Sequence, residues 1–117
     1  MSENHQEFWD PTRLEEMVGG DEAFILELLQ LFIDSTGGDV DLIAQAAKTQ
    51  AYSTVSHRAH TIKGASGNIG ADRLMECAGR LEQQAKTVQG TDLDPTIAEV
   101  VEIYGHTVAA IQVRLQT

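Results

Sequence analysis

The sequence has few cysteine and basic residues and no long apolar run, and each of these absences excludes a class of protein. Its single cysteine, Cys77, allows no internal disulfide, which predicts a protein of the reducing cytoplasm. No apolar run reaches 18 residues, so no transmembrane helix is expected, and the polar start of the chain does not resemble a signal peptide. Eight Lys and Arg residues stand against 18 Asp and Glu residues. The resulting net charge of −10 argues against nucleic acids and anionic membranes as partners.

Apolar residues recur at helical spacing along most of the chain, and no segment alternates apolar and polar residues long enough to form a strand. We therefore predict an all-α protein, in which a short N-terminal helix precedes longer helices whose short connections favour an up-and-down antiparallel bundle. A chain of 117 residues has room for one core. We expect residues 1–8 to form a flexible tail, residues 9–117 to form one domain, and the protein to be a monomer.

The two prolines and a glycine pair bear on the helix boundaries. Asp10-Pro11 and Asp94-Pro95 each join an N-cap residue to a proline, which is typical of a helix start. Gly37-Gly38 leaves open whether the second helix ends there or continues to Lys48. The predicted core positions are Leu14, Met17 and Val18 in the first helix, and Phe24, Leu28, Leu31 and Phe32 in the second, with Ile25 and Leu29 beside them. In the fourth helix they are Leu74, Ala78, Leu81, Ala85 and Val88, with Cys77 at the border. In the last helix they are Ile97, Val101, Tyr104, Val108, Ile111 and Leu115.

Residues 52–69 are predicted to form a helix with one buried face. On a helical wheel His60 falls roughly 140–150° from that face, which places its imidazole outside the core. The buried face consists of Val55, Ala59, Ile62, Ser66 and Ile69.

Two glycines and a lysine lie near His60 on this helix. Gly64 and Gly67 each cost about 1 kcal/mol relative to alanine in a helix interior. They either let another surface approach the ring or permit close helix packing. Lys63, one turn from His60, can place an ammonium near a group that the ring carries. Residues 42–71 contain no Asp or Glu, so this zone suits an anion. Five of the eight basic residues lie around His60, in or just after that segment: Arg58, Lys63, Arg73, Arg80 and Lys86.

The segment from His60 to Ala71, H-T-I-K-G-A-S-G-N-I-G-A, resembles the signature of histidine-containing phosphotransfer (HPt) domains of two-component phosphorelays. The signature is a His, two residues, Lys-Gly, two small residues and an apolar-Gly-small ending. The likeness extends more loosely from Phe8 to the last helix. It implies a four-helix bundle with an exposed phosphoacceptor at His60, a lysine at Lys63 that assists phosphoryl transfer, and a glycine at Gly64 that keeps the ring accessible.

The following helix supplies a further candidate for the site. With a turn near residue 70, helices 52–69 and 72–88 run antiparallel, and His60 lies level with Gly79 and Glu82. Glu82 can then accept a hydrogen bond from His60 Nδ1, leaving Nε2 as the nucleophile; in the resembled family this place is often Glu or Gln. Alternatively, Glu82 is a surface carboxylate paired with Lys86. Candidate partner-docking residues around the site are Ser56, His57, Gly67, Met75 and Gly79.

The resemblance implies a phosphorelay intermediate. A receiver-domain phosphoaspartate or a hybrid sensor histidine kinase would phosphorylate His60, and an aspartate of a response regulator would then take the group. The sequence has no ATP-binding motif, so we expect a carrier and not an enzyme. We expect no metal or cofactor on this chain, since in the family Mg²⁺ belongs to the receiver domain. The resemblance also favours one continuous, kinked second helix through Gly37-Gly38.

Two other functions stay open at this point. A metal-binding helical module would use His57 and His60 with Glu82 or Cys77, although Lys63 beside them would repel a cation. A bundle that binds proteins without carrying phosphate would have its exposed histidine by chance. A direct assay of phosphate transfer separates these classes.

Overall fold

A computed structural model describes residues 7–87 and 92–116, and this part of the chain forms five α-helices. Helix α1 spans Thr12–Val18, α2 Glu22–Lys48, α3 Tyr52–Ile69, α4 Asp72–Thr87 and α5 Asp94–Leu115. Each helix from α2 to α5 packs on the next, and α5 also contacts α2, which closes a four-helix bundle. Helix α1 packs against α2 and α3. The predicted all-α fold, a four-helix bundle with a short additional N-terminal helix, is confirmed.

None of the helices in residues 7–87 and 92–116 combines the length and the apolar character that crossing a bilayer requires.

Helices α3 and α4 carry the site, and their predicted cores are confirmed. Helix α3 begins and ends at the predicted residues, and all five residues of its predicted apolar face are buried. In α4 the predicted core positions up to Ala85 are buried, and so is Cys77. Val88 lies outside the described residues.

The α3–α4 turn is fixed by Gly70 and by the segment that precedes α1. Gly70 has a φ of 91°, in the left-handed region, and a Cβ there would collide with the carbonyl oxygen of Asp10. The Asp10 N–H donates to the Gly70 carbonyl at 3.1 Å. The buried indole of Trp9 donates to the Ile69 carbonyl at 2.9 Å. These contacts fix the end of α3 and help to set the register in which His60 faces α4.

Of the flexible tail predicted at residues 1–8, residues 7 and 8 lie within the described part of the chain and contact the bundle, and residues 1–6 lie outside it. The ring of Phe8 stacks on His106, with the two ring centroids 4.6 Å apart. The guanidinium of Arg73 lies 4.7 Å from the centroid of the Phe8 ring and also pairs with Glu7. The segment before α1 therefore packs against α4 and α5 from residue 7 onward.

Helix α2 continues through Gly37 and Gly38, as the resemblance favoured. A requirement for space accounts for Gly37, because a Cβ there would lie 2.7 Å from the hydroxyl oxygen of Tyr104. That hydroxyl donates a hydrogen bond to the Ile33 carbonyl at 2.7 Å, which ties α5 to α2.

Several core positions predicted for α1 and α2 are wrong. Met17, Phe24 and Leu31 are exposed. Apolar residues cover so much of the circumference of α2 that its spacing fits two stripes one residue apart, and only the packing of α3 and α5 selects one. The buried residues of α2 are Ile25, Leu29, Phe32, Thr36, Asp39, Val40, Ile43 and Ala46.

The core face of α5 also departs from the prediction, because Val101 is exposed. Thr107 is part of the true core face, and its hydroxyl is satisfied by donating to the Ile103 carbonyl at 2.7 Å. A buried polar residue in the stripe obscures the apolar pattern in the sequence. The buried residues of α5 are Ile97, Val100, Ile103, Thr107, Ala110 and Ile111.

Candidate functional site

His60 lies in the middle of α3 with its imidazole directed away from the core, as predicted. The His60 side chain is 64% exposed. Gly64 follows one turn later, and a Cβ built there would meet nothing within 4 Å. The space next to the ring on this side is therefore open to another molecule.

Glu82 on α4 is buried, with only 7% of its side chain exposed, and three nitrogen-bearing side chains converge on its carboxylate. His60 Nδ1 lies 3.0 Å from Oε2. Lys63 Nζ lies 2.9 Å from Oε1, and Lys86 Nζ lies 3.0 Å from Oε2. The predicted contact between His60 and Glu82 is confirmed, and the alternative pairing with Lys86 exists beside it.

The ion pairs keep Glu82 ionised. The hydrogen bond from Lys63 lowers the pKa of Glu82 most, and those from Lys86 and His60 lower it further, against the opposing effect of burial. The pKa falls from 4.5 to about 2. An anionic acceptor at Oε2 favours the imidazole tautomer that carries its proton on Nδ1. The lone pair then resides on Nε2, which suits His60 to act as a nucleophile.

Three of the predicted docking residues are occupied within the protein itself. Ser56 is buried. A Cβ on Gly67 would lie 3.0 Å from Met75 Sδ, so this glycine accommodates the Met75 side chain. A Cβ on Gly79 would lie 3.3 Å from Cδ of Lys63. The absence of a Cβ opens the approach to the His60 ring at Gly64, whereas Gly67 and Gly79 make room for side chains of the protein itself.

A groove of about 550 Å³ lies beside His60, between α3 and α4. Ser56 and His57 line it from α3, and Lys86 lines it from α4. His57 is the predicted docking residue that stays exposed here. The groove therefore offers the exposed imidazole of His57 and the ammonium group of Lys86 next to the His60 ring.

A second groove, of about 450 Å³ and mainly apolar, lies between α1, α2 and α3. Met17 and Leu31, the two most exposed large apolar side chains of these helices, line it together with Ala65 and Asn68 of α3. Asn68 follows Gly64 by one helical turn, so this groove adjoins the open side of His60. Sequence reasoning misses this surface because it assigns Met17 and Leu31 to the core.

Of the residues that a metal-binding module would need, His60 and Glu82 are in contact, but a contact between two residues does not make a metal site. Throughout residues 7–87 and 92–116, no group of three or more His, Cys, Asp or Glu side chains is placed to hold a metal ion. Cys77 is fully buried. Burial is the main cause that raises the pKa of the Cys77 thiol to about 11, with a further contribution from Glu99. The thiol is therefore neutral and unsuited to metal binding at neutral pH.

Two kinds of comparison with known proteins agree with this geometry. The chain matches the Hpt domain family over residues 27–115, a range that includes His60, Lys63, Gly64 and Glu82. No curated relative matches the chain. The fold is similar to that of histidine-containing phosphotransfer protein B (HptB) from Pseudomonas aeruginosa PAO1, with a TM-score of 0.83 and 21% identity, covering 94% of this chain and 96% of that one.

The fold is also similar to the HPT domain of a sensor hybrid histidine kinase from Shewanella, with a TM-score of 0.79 and 22% identity. This likeness covers 96% of the present chain and 97% of the Shewanella chain. At such identities the two structures show the shared fold, whereas the match over residues 27–115 shows the family. The chain belongs to the Hpt domain family, whose members are histidine phosphotransfer intermediates of phosphorelays.

Proposed function

We propose that His60 is the phosphoacceptor of this Hpt domain and that the chain relays phosphoryl groups between receiver domains. The contact of 3.0 Å between His60 Nδ1 and the buried, anionic Glu82 carries the proposal. It leaves the lone pair on Nε2 of an exposed ring, next to the open space at Gly64.

In the proposed reaction, Nε2 of His60 attacks the phosphorus of a phosphoaspartate on a receiver domain. The N–P bond forms while the P–O bond to the aspartyl carboxyl group breaks, and the aspartate leaves as a free carboxylate. The phosphorylated ring is positively charged, and Glu82 stabilises it through the hydrogen bond from Nδ1–H. The aspartate of a second receiver then attacks the phosphorus, the N–P bond breaks, and the neutral imidazole is restored.

Lys63 and Lys86 have a second role in this proposal. Both ammonium groups contact the Glu82 carboxylate, Lys63 at Oε1 and Lys86 at Oε2, the oxygen that also faces the ring, and both side chains are partly exposed. They offset the negative charge that accumulates on the phosphoryl oxygens during transfer. Two lysines against one glutamate give the site a net positive charge within a chain whose net charge is −10.

The same proposal makes the chain a carrier and not a kinase. The sequence offers no ATP-binding motif, and the Mg²⁺ of the reaction would be held by the acidic residues of the receiver domain. The partners would be a hybrid sensor histidine kinase and the receiver domains of response regulators. We propose that the chain works as a monomer in the cytoplasm, where its single cysteine stays reduced.

We further propose that the receiver domain covers the open side of His60 and the apolar groove beside it. Gly64 gives no steric hindrance to such an approach. Met17 and Leu31 expose more than half of their side chains in or beside the groove. Burial of such apolar surface is a common source of affinity at a protein interface.

Incubation with phosphoramidate, a histidine-selective phosphodonor, tests the phosphoacceptor directly. We expect intact-protein mass spectrometry to show a gain of one phosphoryl group that is acid-labile and base-stable. The gain should vanish in His60→Gln and persist in His57→Gln, a matched change at the neighbouring exposed histidine. Circular dichroism should show that both variants keep the helical fold. Labelling that survives in His60→Gln would exclude His60 as the acceptor.

A further inference from the structure

Gly79 interrupts the sequence of α4 in a way that folding alone does not explain. Glycine is a poor helix former because its backbone loses the most freedom on folding. It is the one glycine of α4, a helix otherwise rich in residues that favour helices, such as Leu81, Gln83 and Ala85. Neither a turn nor a positive φ requires glycine at this position, since Gly79 lies in the helix interior and its φ is ordinary.

The space next to Gly79 is taken by the stem of Lys63 from α3. A Cβ built on Gly79 would lie 3.3 Å from Lys63 Cδ, which is closer than ordinary van der Waals contact. Within the described residues, and apart from the neighbours and helix backbone of Gly79 itself, no other heavy atom lies within 4 Å of that position. The gap therefore serves one side chain and is not a point of close approach between two backbones.

The path of the Lys63 stem leads to the site. Gly79 and Glu82 lie about one turn apart on the same face of α4. The stem crosses α4 at Gly79, and its ammonium then reaches Glu82 Oε1 at 2.9 Å. On the other oxygen of this carboxylate, His60 Nδ1 is bound at 3.0 Å.

We infer that Gly79 is a positioning residue, which keeps a path open across α4 so that the Lys63 ammonium is held on Glu82, beside His60. The inference rests on the proposed function, in that Lys63 offsets charge during phosphoryl transfer to His60. Gly79 itself touches neither the phosphoryl group nor the ring. A side chain as large as leucine at position 79 would displace Lys63 and leave His60 in place.

Replacement of Gly79 by leucine tests this inference, with Gly105→Leu as the matched control. Gly105 is an exposed glycine in the interior of α5, and a Cβ there would meet nothing within 4 Å. The first readout is the pKa of Glu82, measured by carbon-detected NMR of the side-chain carboxyl group during a pH titration. Since the hydrogen bond from Lys63 is the largest cause of the low pKa, we expect Gly79→Leu and Lys63→Met to raise it alike. Gly105→Leu should leave it at the wild-type value.

The second readout is the rate of phosphorylation by phosphoramidate, a donor small enough not to be excluded by a leucine on α4. We expect Gly79→Leu to slow labelling about tenfold, and Lys63→Met to slow it equally. This is less than the factor of about a hundred or more typical of a buried oxyanion donor, because Lys63 is half-exposed to solvent. The double variant should be no slower than Lys63→Met alone, since both changes remove the same ammonium.

An unchanged Glu82 pKa in Gly79→Leu would overturn the inference. A double variant that is labelled more slowly than Lys63→Met alone would also overturn it. Wild-type labelling rates in both single variants would show that the positioned ammonium does not assist transfer, which also overturns it. Failure of the proposed function looks different, because wild-type protein would then take up no phosphoryl group at all. The comparison of Glu82 pKa values would still decide whether Gly79 positions Lys63.

Discussion

Glu82 is the residue on which the geometry of the site depends most. Its carboxylate is buried, yet it accepts from His60 on one helix turn of α3, from Lys63 on the next, and from Lys86 on its own helix. One buried charge thus orients a nucleophile and two ammonium groups at once. An ion pair between two exposed side chains would not order them to this degree, because solvent screens such a pair.

Replacement of Glu82 by glutamine removes the charge and keeps the shape. We expect this variant to be about 1–2 kcal/mol less stable than wild type at pH 7. The hydrogen bonds to a charged acceptor are lost, and solvent only partly screens the repulsion between the Lys63 and Lys86 ammonium groups. The pKa of Glu82 is lowered from 4.5 to about 2 on folding. The contribution of the ionised Glu82 side chain to the free energy of unfolding is therefore complete above about pH 4.5 and is lost as the pH falls through about 2.

Urea denaturation of wild type and Glu82→Gln across this pH range measures that difference. The difference in free energy of unfolding should shrink steadily between about pH 4.5 and about pH 2. Glu76→Gln, at an exposed carboxylate on the same helix, is the control and should lie close to wild type throughout. A difference for Glu82→Gln that stays constant down to pH 2 would mean that the carboxylate is not held ionised by its partners.

At the scale of the helices, the hairpin of α3 and α4 is the part of the molecule that the sequence predicts best. The apolar face of α3 has one clear period, and a short turn at Gly70 fixes which residues of the two helices lie level. Those two facts are enough to place Glu82 opposite His60 from the sequence alone. The same reasoning cannot show that Gly79 lies under the stem of Lys63, because long side chains reach residues that the backbone register does not specify.

Helices α2 and α5 are less predictable, for a physical reason. Both carry apolar residues on several faces, so their rotation about their own axes depends on neighbours that the sequence does not identify. The exposed Leu31 and Val101 follow from this rotation. The same ambiguity conceals the apolar groove beside His60, since the sequence pattern assigns two of its exposed residues to the core.

The two adjacent glycines of α2 allow a test of how α5 packs on it. Gly38→Ala should raise the free energy of unfolding by about 0.5–1 kcal/mol, because alanine favours the helix and a Cβ there meets nothing within 4 Å. Gly37→Ala introduces the same increase in helix propensity, but the new Cβ would lie 2.7 Å from the hydroxyl oxygen of Tyr104. We expect it to be at least about 1 kcal/mol less stable than Gly38→Ala, through loss of the hydrogen bond to Ile33.

Both alanine variants should also be made in Tyr104→Phe, and stability measured by chemical denaturation. Without the hydroxyl, the two alanines should stabilise the protein by similar amounts. If Gly37→Ala remained the less stable variant in that background, the space at Gly37 would serve something other than Tyr104.

At the scale of the whole molecule, the proposed docking surface and the proposed site of phosphoryl transfer are different parts of the surface. The proposed nucleophile His60 and the lysines near it lie at the α3–α4 hairpin, whereas the apolar groove lies between α1, α2 and α3. Gly64 lies between these two regions and has open space where a Cβ would be. Under the proposed function, a small phosphodonor needs only the first region, whereas a receiver domain covers both.

Gly64→Leu should therefore separate the two functions. We expect the variant to be labelled by phosphoramidate at a reduced but measurable rate. Its rate of phosphoryl exchange with a phosphorylated receiver domain that serves the wild-type protein should fall by about a hundredfold or more, as expected when reacting atoms are displaced by an ångström. Gly105→Leu, at an exposed position of α5, should exchange like wild type. Undiminished exchange by Gly64→Leu would mean that the receiver approaches His60 from another side.

The position of the phosphorus atom on the His60 ring tests the central claim most directly. Protein labelled with ¹⁵N-histidine and treated with phosphoramidate can be analysed by ³¹P and ¹⁵N NMR, which distinguishes the two ring nitrogens through their coupling to phosphorus. Because Glu82 contacts Nδ1 at 3.0 Å, the account predicts a single phosphohistidine, at His60, with phosphorus on Nε2. Phosphorus on Nδ1 of His60, or on another histidine, would contradict it.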